Sequence, residues 1–165
     1  DTAHRVAGEG TVENNIITNG NTTTSFAAPV LLRGGKWYYE VKLRSAGAMF
    51  IGWRGISDGG SKATGDSDSS FGWNGSEAVV LYLLLFTNQN CLSSSLFVEE
   101  TNSDNNSYGS RWKIEDVVGV CIDLTPGNMS ISYSLNAEKF GVAFRDIHAD
   151  LYSPSVTCVP ITFSL

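Results

Sequence analysis

Hydrophobic and polar residues alternate along several short runs of the chain, a pattern that predicts β-strands with one buried face. The clearest run is residues 128–136 (NMSISYSLN), in which four apolar side chains alternate with three serines. Residues 35–43 (GKWYYEVKL) alternate in the same way, whereas residues 117–124 (VVGVCIDL) are apolar on both faces and predict a central strand. Since no run shows the 3.6-residue period of an amphipathic helix, the pattern predicts an all-β domain.

Turn signals separate these runs and indicate antiparallel pairing. Residues 125–128 (TPGN) carry a proline that fixes φ and a glycine that accepts positive φ, and residues 136–139 (NAEK) are expected to close the next hairpin. Near the end of the chain, the phase of the apolar positions changes between Cys158 and Val159. This change predicts a β-bulge near Pro160, with Pro160 at a sheet edge.

The length of 165 residues and the mass of 17.8 kDa predict one domain with a core large enough to need no disulfide or metal. Hydrophobic residues make up 42% of the chain and charged residues 17%, which is typical of a globular protein. We expect this single domain to span residues 1–165, with residues 1–29 as an N-terminal extension or opening hairpin. Residues 87–110 are polar around a short apolar insert, and predict a long loop with or without one extra strand.

The net charge of −6 and the isoelectric point near 4.8 bear on which partners the domain binds. A protein that binds the phosphate backbone normally shows a basic face, so we expect no nucleic-acid partner. The longest apolar run, residues 79–86, is far shorter than the roughly 20 residues that span a bilayer, so we also expect no membrane insertion. The chain start has neither a methionine nor a signal peptide, and we interpret it as the start of a fragment of a larger protein.

Three cysteines, Cys91, Cys121 and Cys158, are present, and none forms a CxxC pair. Cys121 and Cys158 fall within apolar strand-like runs, where a free cysteine behaves as a small hydrophobic residue. An odd number of cysteines without a disulfide pattern favours the cytoplasm or the nucleus. Four Asn-x-Ser/Thr patterns would suit a secreted protein instead, but a chain this rich in Asn, Ser and Thr contains about two or three by chance.

No arrangement of residues in the sequence indicates catalysis. The two histidines, His4 and His148, belong to no zinc-binding pattern, and no GxSxG motif is present. Residues 66–68 (DSD) begin like a calcium loop, but Phe71 stands where that loop needs glycine. We therefore expect a non-enzyme with no catalytic residues, no metal and no cofactor.

Taken together, GKWYYEVKL, FIGWR, GDSDSSFGWNG, SISYSLN, GVAF and LYSPSVT resemble the motifs of a SPRY domain in the order which that family shows. The resemblance runs from about Val30 to the end of the chain, and the nearest types are the SPRY-and-SOCS-box and ryanodine-receptor-like SPRY domains. It implies a bent β-sandwich of two antiparallel sheets with concanavalin-like jelly-roll topology. It also implies a protein-interaction module that binds a short peptide or a folded partner on loops at one end, including in ubiquitin ligases that recruit substrates.

We predict a partner-binding surface on the loop that follows FIGWR, joined by residues across the rim of the sandwich. An arginine at its start would donate to a partner's carbonyl or carboxylate, and its aspartates would accept hydrogen bonds. The predicted residues are Arg54, Ser57, Asp58, Lys62, Asp68, Arg145 and Val159. We expect the isolated domain to be monomeric. Two alternatives are a carbohydrate-binding lectin on the same type of sandwich and a domain that docks against its own parent chain.

Overall fold

The computed structural model describes residues 3–58, 63–85, 94–97, 108–148 and 150–160. Within these ranges the chain forms β-strands, a short 3₁₀ helix at Ile56–Asp58 and no α-helix. In chain order the strands are β1 (His4–Ala7), β2 (Gly10–Glu13), β3 (Ile16–Asn19), β4 (Thr24–Ala27), β5 (Lys36–Lys42), β6 (Met49–Gly55), β7 (Ser70–Asn74), β8 (Val79–Leu85), β9 (Ser94–Phe97), β10 (Val117–Asp123), β11 (Ser130–Leu135), β12 (Glu138–Arg145) and β13 (Tyr152–Cys158).

The strands form two main sheets, and every pairing among them is antiparallel. The large sheet has seven strands in the order β1-β4-β13-β6-β7-β8-β9, and the small sheet has four in the order β12-β11-β10-β5. Strands β2 and β3 pair with each other as a hairpin near the N-terminus. The predicted all-β antiparallel sandwich is confirmed.

The sequence pattern accounts for the two central strands of the small sheet. The apolar side chains of β10 that face the large sheet, Val118, Val120 and Ile122, are fully buried. On the neighbouring strand β11, Ile131 and Tyr133 are buried as the alternation predicts. Strand β10 lies between β11 and β5, as expected for a run that is apolar on both faces.

The hairpin between β11 and β12 has a two-residue turn. Asn136 and Ala137 have φ angles of 50° and 68°, and Leu135 pairs with Glu138. Positive φ at both turn residues matches the right-handed twist of the flanking strands. The predicted hairpin is confirmed, and its turn of two residues is shorter than the predicted four-residue segment.

Trp73 lies at the centre of the core between the sheets. Its ring contacts Trp112 at 4.9 Å and Tyr133 at 5.3 Å between ring centroids, and Tyr108 at 5.6 Å. Its indole Nε1 donates to the Tyr108 backbone carbonyl at 3.1 Å. Tyr108 falls within the predicted insert at 87–110, but it is a buried core residue. The extra short strand allowed for in that insert is β9, which pairs with β8.

At the C-terminal end, β13 ends at Cys158, and the backbone N–H of Val159 donates to the carbonyl of Ala48 at 2.9 Å. Because residues 161–165 lie outside the described residues, the bulge predicted near Pro160 stays a prediction. Cys121 and Cys158 are free and half-buried rather than fully buried, and Cys91 lies outside the described residues.

A layer of buried hydroxyl groups covers part of the outer face of the large sheet. The Thr64 hydroxyl lies 2.7 Å from Ser155 Oγ, and the Thr64 backbone N–H donates to Thr157 Oγ1 at 2.8 Å. Ser25 Oγ lies 2.8 Å from the same Thr157 oxygen. These bonds hold the segment around Thr64 flat against β4 and β13, next to the end of β6 where the candidate site begins.

Candidate functional site

Arg54 is near the end of β6 and points to the outer face of the large sheet, because its neighbour Trp53 lies in the core. Its cross-strand neighbours are Ser153 on β13 and Ser70 on β7. The Arg54 side chain is only 8% exposed, and its Nε lies 3.0 Å from Oδ2 of Asp58. A buried arginine at the sheet surface needs such a counter-ion, since an isolated buried charge is costly.

The far end of the guanidinium lacks a partner. Nη1 and Nη2 of Arg54 are both buried and make no hydrogen bond within the described ranges. Nε is buried and makes no hydrogen bond in these ranges either, so its contact with Asp58 is an ion pair without hydrogen-bond geometry. A buried donor without an acceptor costs roughly 1–3 kcal/mol, and more when it carries a charge.

Asp58 ends the 3₁₀ helix and is itself buried. Burial raises the pKa of its carboxyl above the ordinary value, whereas a hydrogen bond from the Ser67 hydroxyl and the charge of Arg54 act in the opposite direction. Two further carboxylates, Asp66 and Asp68, lie close enough to raise the same pKa. Asp58 therefore has two acidic neighbours besides its counter-ion Arg54.

The loop between β12 and β13 fixes the chain at the end of β6. The Ser57 hydroxyl donates to Asp150 Oδ2 at 2.5 Å, and the Ser57 backbone N–H donates to the same oxygen at 3.2 Å. The Ile56 N–H donates to the carbonyl of Leu151 at 2.9 Å. Gly55 packs so closely here that an added Cβ would lie 2.2 Å from the Asp150 carboxylate. The 3₁₀ helix is therefore held in place on the β13 side.

A surface groove of about 410 Å³ opens beside this ion pair. Four large aliphatic side chains along the groove are exposed: Val6 (38%), Val30 (41%), Leu31 (53%) and Ile56 (61%). Arg54 and Asp58 line it as well. We call these six residues the Arg54 groove. It combines a buried cation with an apolar rim, which is the combination that small recognition sites use.

Three of the predicted site residues, Arg54, Ser57 and Asp58, lie together at this end of the sandwich. Exposed Asp68 is near them, as its effect on Asp58 indicates. Lys62 lies outside the described residues. Arg54 differs from expectation in being buried, because its own chain supplies a counter-ion four residues later.

Arg145 and Val159 are the two predicted rim residues. Arg145 ends β12 and is exposed, and the connection that follows it leads to Asp150, which bonds Ser57. Val159 lies at the end of the β6–β13 pairing opposite to Arg54. It follows Cys158, which pairs with Met49, and this pair is six residue pairs away from the Tyr152–Gly55 pair. At about 3.3 Å per residue this is roughly 20 Å away, so its placement with Arg54 is wrong.

Val159 instead lines a cavity of about 830 Å³ at that other end. Tyr39, Val156 and Cys158 also line this cavity. The Tyr39 hydroxyl donates to the carbonyl of Gly52 at 2.5 Å, and burial raises its pKa well above the ordinary value. This cavity contains no buried charge pair comparable to Arg54 and Asp58 among the residues described.

The sequence reasoning missed the aliphatic rim of the groove. Val30 and Leu31 are in the connection after β4, and Ile56 follows the glycine that ends β6. Val6 comes from β1, the edge strand of the large sheet. The available signal was weak, because these residues lie in runs of no more than three apolar residues. Only the order of the strands in the sheet brings the runs together.

No group of three or more His, Cys, Asp or Glu side chains in the described residues could hold a metal ion. No helix in the same ranges is long and apolar enough to cross a membrane.

Comparisons with known proteins agree with the two-sheet antiparallel fold. Residues 36–162 match the SPRY domain family. The chain is 30% identical over 115 residues to the E3 ubiquitin-protein ligase RKP of Arabidopsis thaliana, a match that covers 68% of this chain and 7% of the ligase. The SPRY domain of human HERC1 has the same fold, with a TM-score of 0.66 and 13% sequence identity, over 90% of this chain and 84% of that one.

The described strands form an antiparallel β-sandwich, and the Arg54 groove lies at one end of its large sheet. The family match covers most of the chain, and the protein belongs to the SPRY domain family. SPRY domains are in general protein-interaction modules and typically non-catalytic. The chain spans only a small part of the length of the plant ligase that it resembles.

Proposed function

We propose that this SPRY domain is a non-catalytic interaction module that holds a short segment of a partner protein in the Arg54 groove. The observation that carries the proposal is the coincidence of two unusual features at one place. Four exposed aliphatic side chains surround a charged side chain that is buried and incompletely paired within the described ranges. Clustered exposed apolar surface beside a polar anchor is typical of protein-recognition sites.

Rigid support for the groove favours this function. The end of β6 is bonded to Asp150 and Leu151 on one side and to Ser69 on the other, where the Gly55 N–H donates to the Ser69 carbonyl at 2.8 Å. The segment around Thr64 is held on the sheet by buried hydroxyl groups. A groove fixed before binding loses less conformational entropy when a partner docks.

Within the whole protein, we propose that the domain recruits a substrate for a ubiquitin ligase. The support is the 30% identity to the plant protein whose name is E3 ubiquitin-protein ligase RKP. We propose the cytoplasm or the nucleus as its compartment, since Cys121 and Cys158 are free thiols and such compartments keep thiols reduced.

A lectin function has less support. A sugar-binding platform needs exposed aromatic rings on one surface, and Trp37 and Tyr38 are both exposed. They are neighbours in β5, so they point to opposite faces of the sheet. The indole of Trp37 also donates to the carbonyl of Gly34 at 2.6 Å. We therefore do not propose carbohydrate as the ligand.

Selection of a random-peptide display library on the 165-residue chain tests the interaction function. Two exposed isoleucines give a matched pair of variants: Ile56→Asp alters the Arg54 groove, whereas Ile114→Asp alters the surface near Leu43 and Met49. We expect peptides with a shared motif to be enriched, and their binding to be lost in I56D and kept in I114D. Failure to enrich any motif, or equal loss in both variants, would contradict a peptide-binding groove at this position.

A further inference from the structure

Ile114 is an exposed aliphatic side chain that lies outside the Arg54 groove. It is 52% exposed and lines a second surface groove, of about 480 Å³. Residues 45–48 (SAGA) line the same groove, and their small side chains leave room for a side chain of a partner. We define the Ile114 groove by these residues together with Arg111 and Lys113, which also line it.

Hydrogen bonds fix the turn that carries Ile114, residues 113–116. The Asp116 N–H donates to the carbonyl of Lys113 at 3.2 Å, and the Lys113 N–H donates to Asp116 Oδ2 at 2.6 Å. The turn is also bonded to the end of β5, since the Glu115 N–H donates to the carbonyl of Leu43 at 2.8 Å. Because the turn is fixed before binding, a partner that docks on Ile114 loses little affinity to the ordering of this segment.

The residue before this turn is anchored in the core. The Trp112 N–H donates to the carbonyl of Gly75 at 3.1 Å, and its ring lies 4.9 Å from the ring of Trp73, measured between centroids. Arg111 and Lys113, on either side of Trp112, are both exposed. The anchor therefore keeps two exposed cations beside the groove that they line.

The charge of the Ile114 groove is opposite to that of the whole chain. The charged residues that line it in the described ranges, Arg111 and Lys113, are both basic, whereas the chain has a net charge of −6. Neither forms an ion pair with a described residue. The acid that follows the lining residue Ser76 is Glu77, which accepts from the Asn74 amide at 3.4 Å.

Two acids follow Ile114 directly in the sequence, and both already have partners. Glu115 Oε2 lies 2.7 Å from Lys42 Nζ, and the charge of exposed Arg44 also lowers the pKa of Glu115. Asp116 accepts from the Asn136 amide and from the Lys113 N–H, and these two bonds are the main causes that lower its pKa. The cations of the groove are therefore the charges that an external group meets first.

We propose that the Ile114 groove is a second docking surface, which binds an acidic segment of a partner protein. An apolar side chain of that segment packs against Ile114 and residues 45–48, and Asp or Glu side chains beside it pair with Arg111 and Lys113. This inference goes beyond the proposed function, because it does not involve the Arg54 groove. Met49, which lines the Ile114 groove, is five residues before Arg54 on β6, a distance of roughly 17 Å.

The balance of charge and apolar surface favours a protein partner over an anionic membrane. Basic segments that hold a protein on such a membrane carry clusters of about four to eight Lys or Arg. Here Arg111, Lys113 and nearby Arg44 supply three cations, and Ile114 is the one large hydrophobic side chain of the groove that is exposed among the described residues. The net charge of −6 also repels an anionic bilayer, whereas a short acidic segment meets mainly charges within a Debye length of about 8 Å.

Two pools of displayed peptides test this inference on the 165-residue chain. Each peptide has an apolar central residue between two fixed positions, which are glutamate in one pool and glutamine in the other, with random residues elsewhere. Glutamine keeps the size of glutamate and removes its charge. We expect enrichment from the glutamate pool only, and the affinity of the enriched peptides should fall as the salt concentration rises, since the pairing charges are exposed.

Variants of exposed residues locate the binding of the enriched peptides. Ile114→Asp should lower their affinity about tenfold, because it removes the aliphatic surface that the partner buries. Reversing both cations, with Arg111→Glu and Lys113→Glu, should lower it about tenfold as well, because two attractive charge pairs become repulsive. Thermal unfolding checks that each variant is folded.

A second double reversal is the matched control. Arg33→Glu with Lys139→Glu also replaces two exposed cations, so both double variants have a net charge of −10 instead of −6. We expect the control to keep its affinity within about twofold, since charges farther away than a Debye length are largely screened.

The outcomes separate this inference from the proposed function. Equal enrichment from the two pools, equal loss in the two double variants, or no enrichment from either pool would overturn the acidic-segment inference, while the fully random library still tests the Arg54 groove. Loss of the enriched peptides in Ile56→Asp but not in Ile114→Asp would overturn it and assign them to the Arg54 groove. Binding of the chain to vesicles that contain phosphatidylserine, lost in Ile114→Asp, would overturn it in favour of a lipid surface.

Discussion

Removing the Tyr108 hydroxyl is expected to destabilise the domain strongly, whereas removing the Tyr133 hydroxyl is not. The pairing of β11 with β12 shifts register opposite Tyr133, where β12 has one residue more than its partner. The Tyr108 hydroxyl lies in this irregular stretch. It donates to the carbonyl of Gly141 at 2.6 Å and accepts from the backbone N–H of Tyr133 at 3.2 Å.

The variant Tyr108→Phe keeps the ring in contact with Trp73 and leaves both backbone groups without their partner. A buried polar group that loses its hydrogen bond costs roughly 1–3 kcal/mol, so the two groups together give a loss of about 2–6 kcal/mol. For a chain of this size each kcal/mol shifts the Tm by about 2–4 °C, so we expect a decrease in Tm of roughly 4–24 °C.

The variant Tyr133→Phe is the matched control. The Tyr133 hydroxyl is buried and has no hydrogen-bond partner among the described residues, so its removal relieves a desolvation cost. We expect it to be neutral or to stabilise the domain by up to about 1 kcal/mol. Urea unfolding followed by tryptophan fluorescence measures both variants. A change of less than about 0.5 kcal/mol for Y108F, within the range of ordinary surface substitutions, would refute the reasoning, as would equal losses for the two variants.

Three further predictions concern stability, each measured by chemical denaturation. Gly52→Ala should cost about 3 kcal/mol or more, because its Cβ would lie 1.9 Å from the backbone oxygen of Phe71, whereas Gly34→Ala, with open space around it, should change little. Ala137→Gly should stabilise the domain by about 0.5–1 kcal/mol by relieving positive φ at an alanine, and a loss of stability would contradict this. Asp123→Asn should lower the free energy of unfolding at pH 7. The difference in this free energy between the variant and the wild type should shrink as the pH falls below about 4, because hydrogen bonds hold the pKa of Asp123 below its unfolded value. An unchanged difference across that pH range would contradict the last prediction.

The physical basis of the Asp123 prediction is a set of partners at the end of β10. Three hydrogen bonds lower its pKa. In order of decreasing effect, they involve the Thr125 side chain, the Lys36 side chain and the Thr125 backbone N–H. Lys36 Nζ lies 2.9 Å from Asp123 Oδ2, and the Asn128 amide donates to the same oxygen at 2.8 Å. A lowered carboxyl pKa contributes stability above the unfolded pKa and loses that contribution as the group is protonated in the folded state.

The strands could be predicted from the sequence because alternation directly reports which side chains face the core. Ile131 and Tyr133 on β11 and the three buried residues of β10 are examples. Arg54, Ser57 and Asp58 could be grouped because they are close along the chain. The burial of Arg54 was not predictable in the same way, since its cross-strand neighbours Ser153 and Ser70 come from two other strands.

Val159 shows where sequence reasoning alone was insufficient. Its distance from Arg54 depends on the antiparallel register of β13 against β6, which pairs Cys158 with Met49 and Tyr152 with Gly55. Register is a property of two strands that are about a hundred residues apart in the sequence, and no local pattern encodes it. For the same reason, the rim formed by Val6, Leu31 and Ile56 could not be assembled before the order of the strands was known.

The central claim is that partners bind in the Arg54 groove, and NMR chemical-shift mapping tests it most directly. A peptide selected on the 165-residue chain is titrated into the isotope-labelled protein, and methyl and amide shifts are followed. We predict that the largest changes fall on Val6, Val30, Leu31 and Ile56. Changes centred instead on Val159 and the cavity around it, at the other end of the sandwich, would contradict the claim.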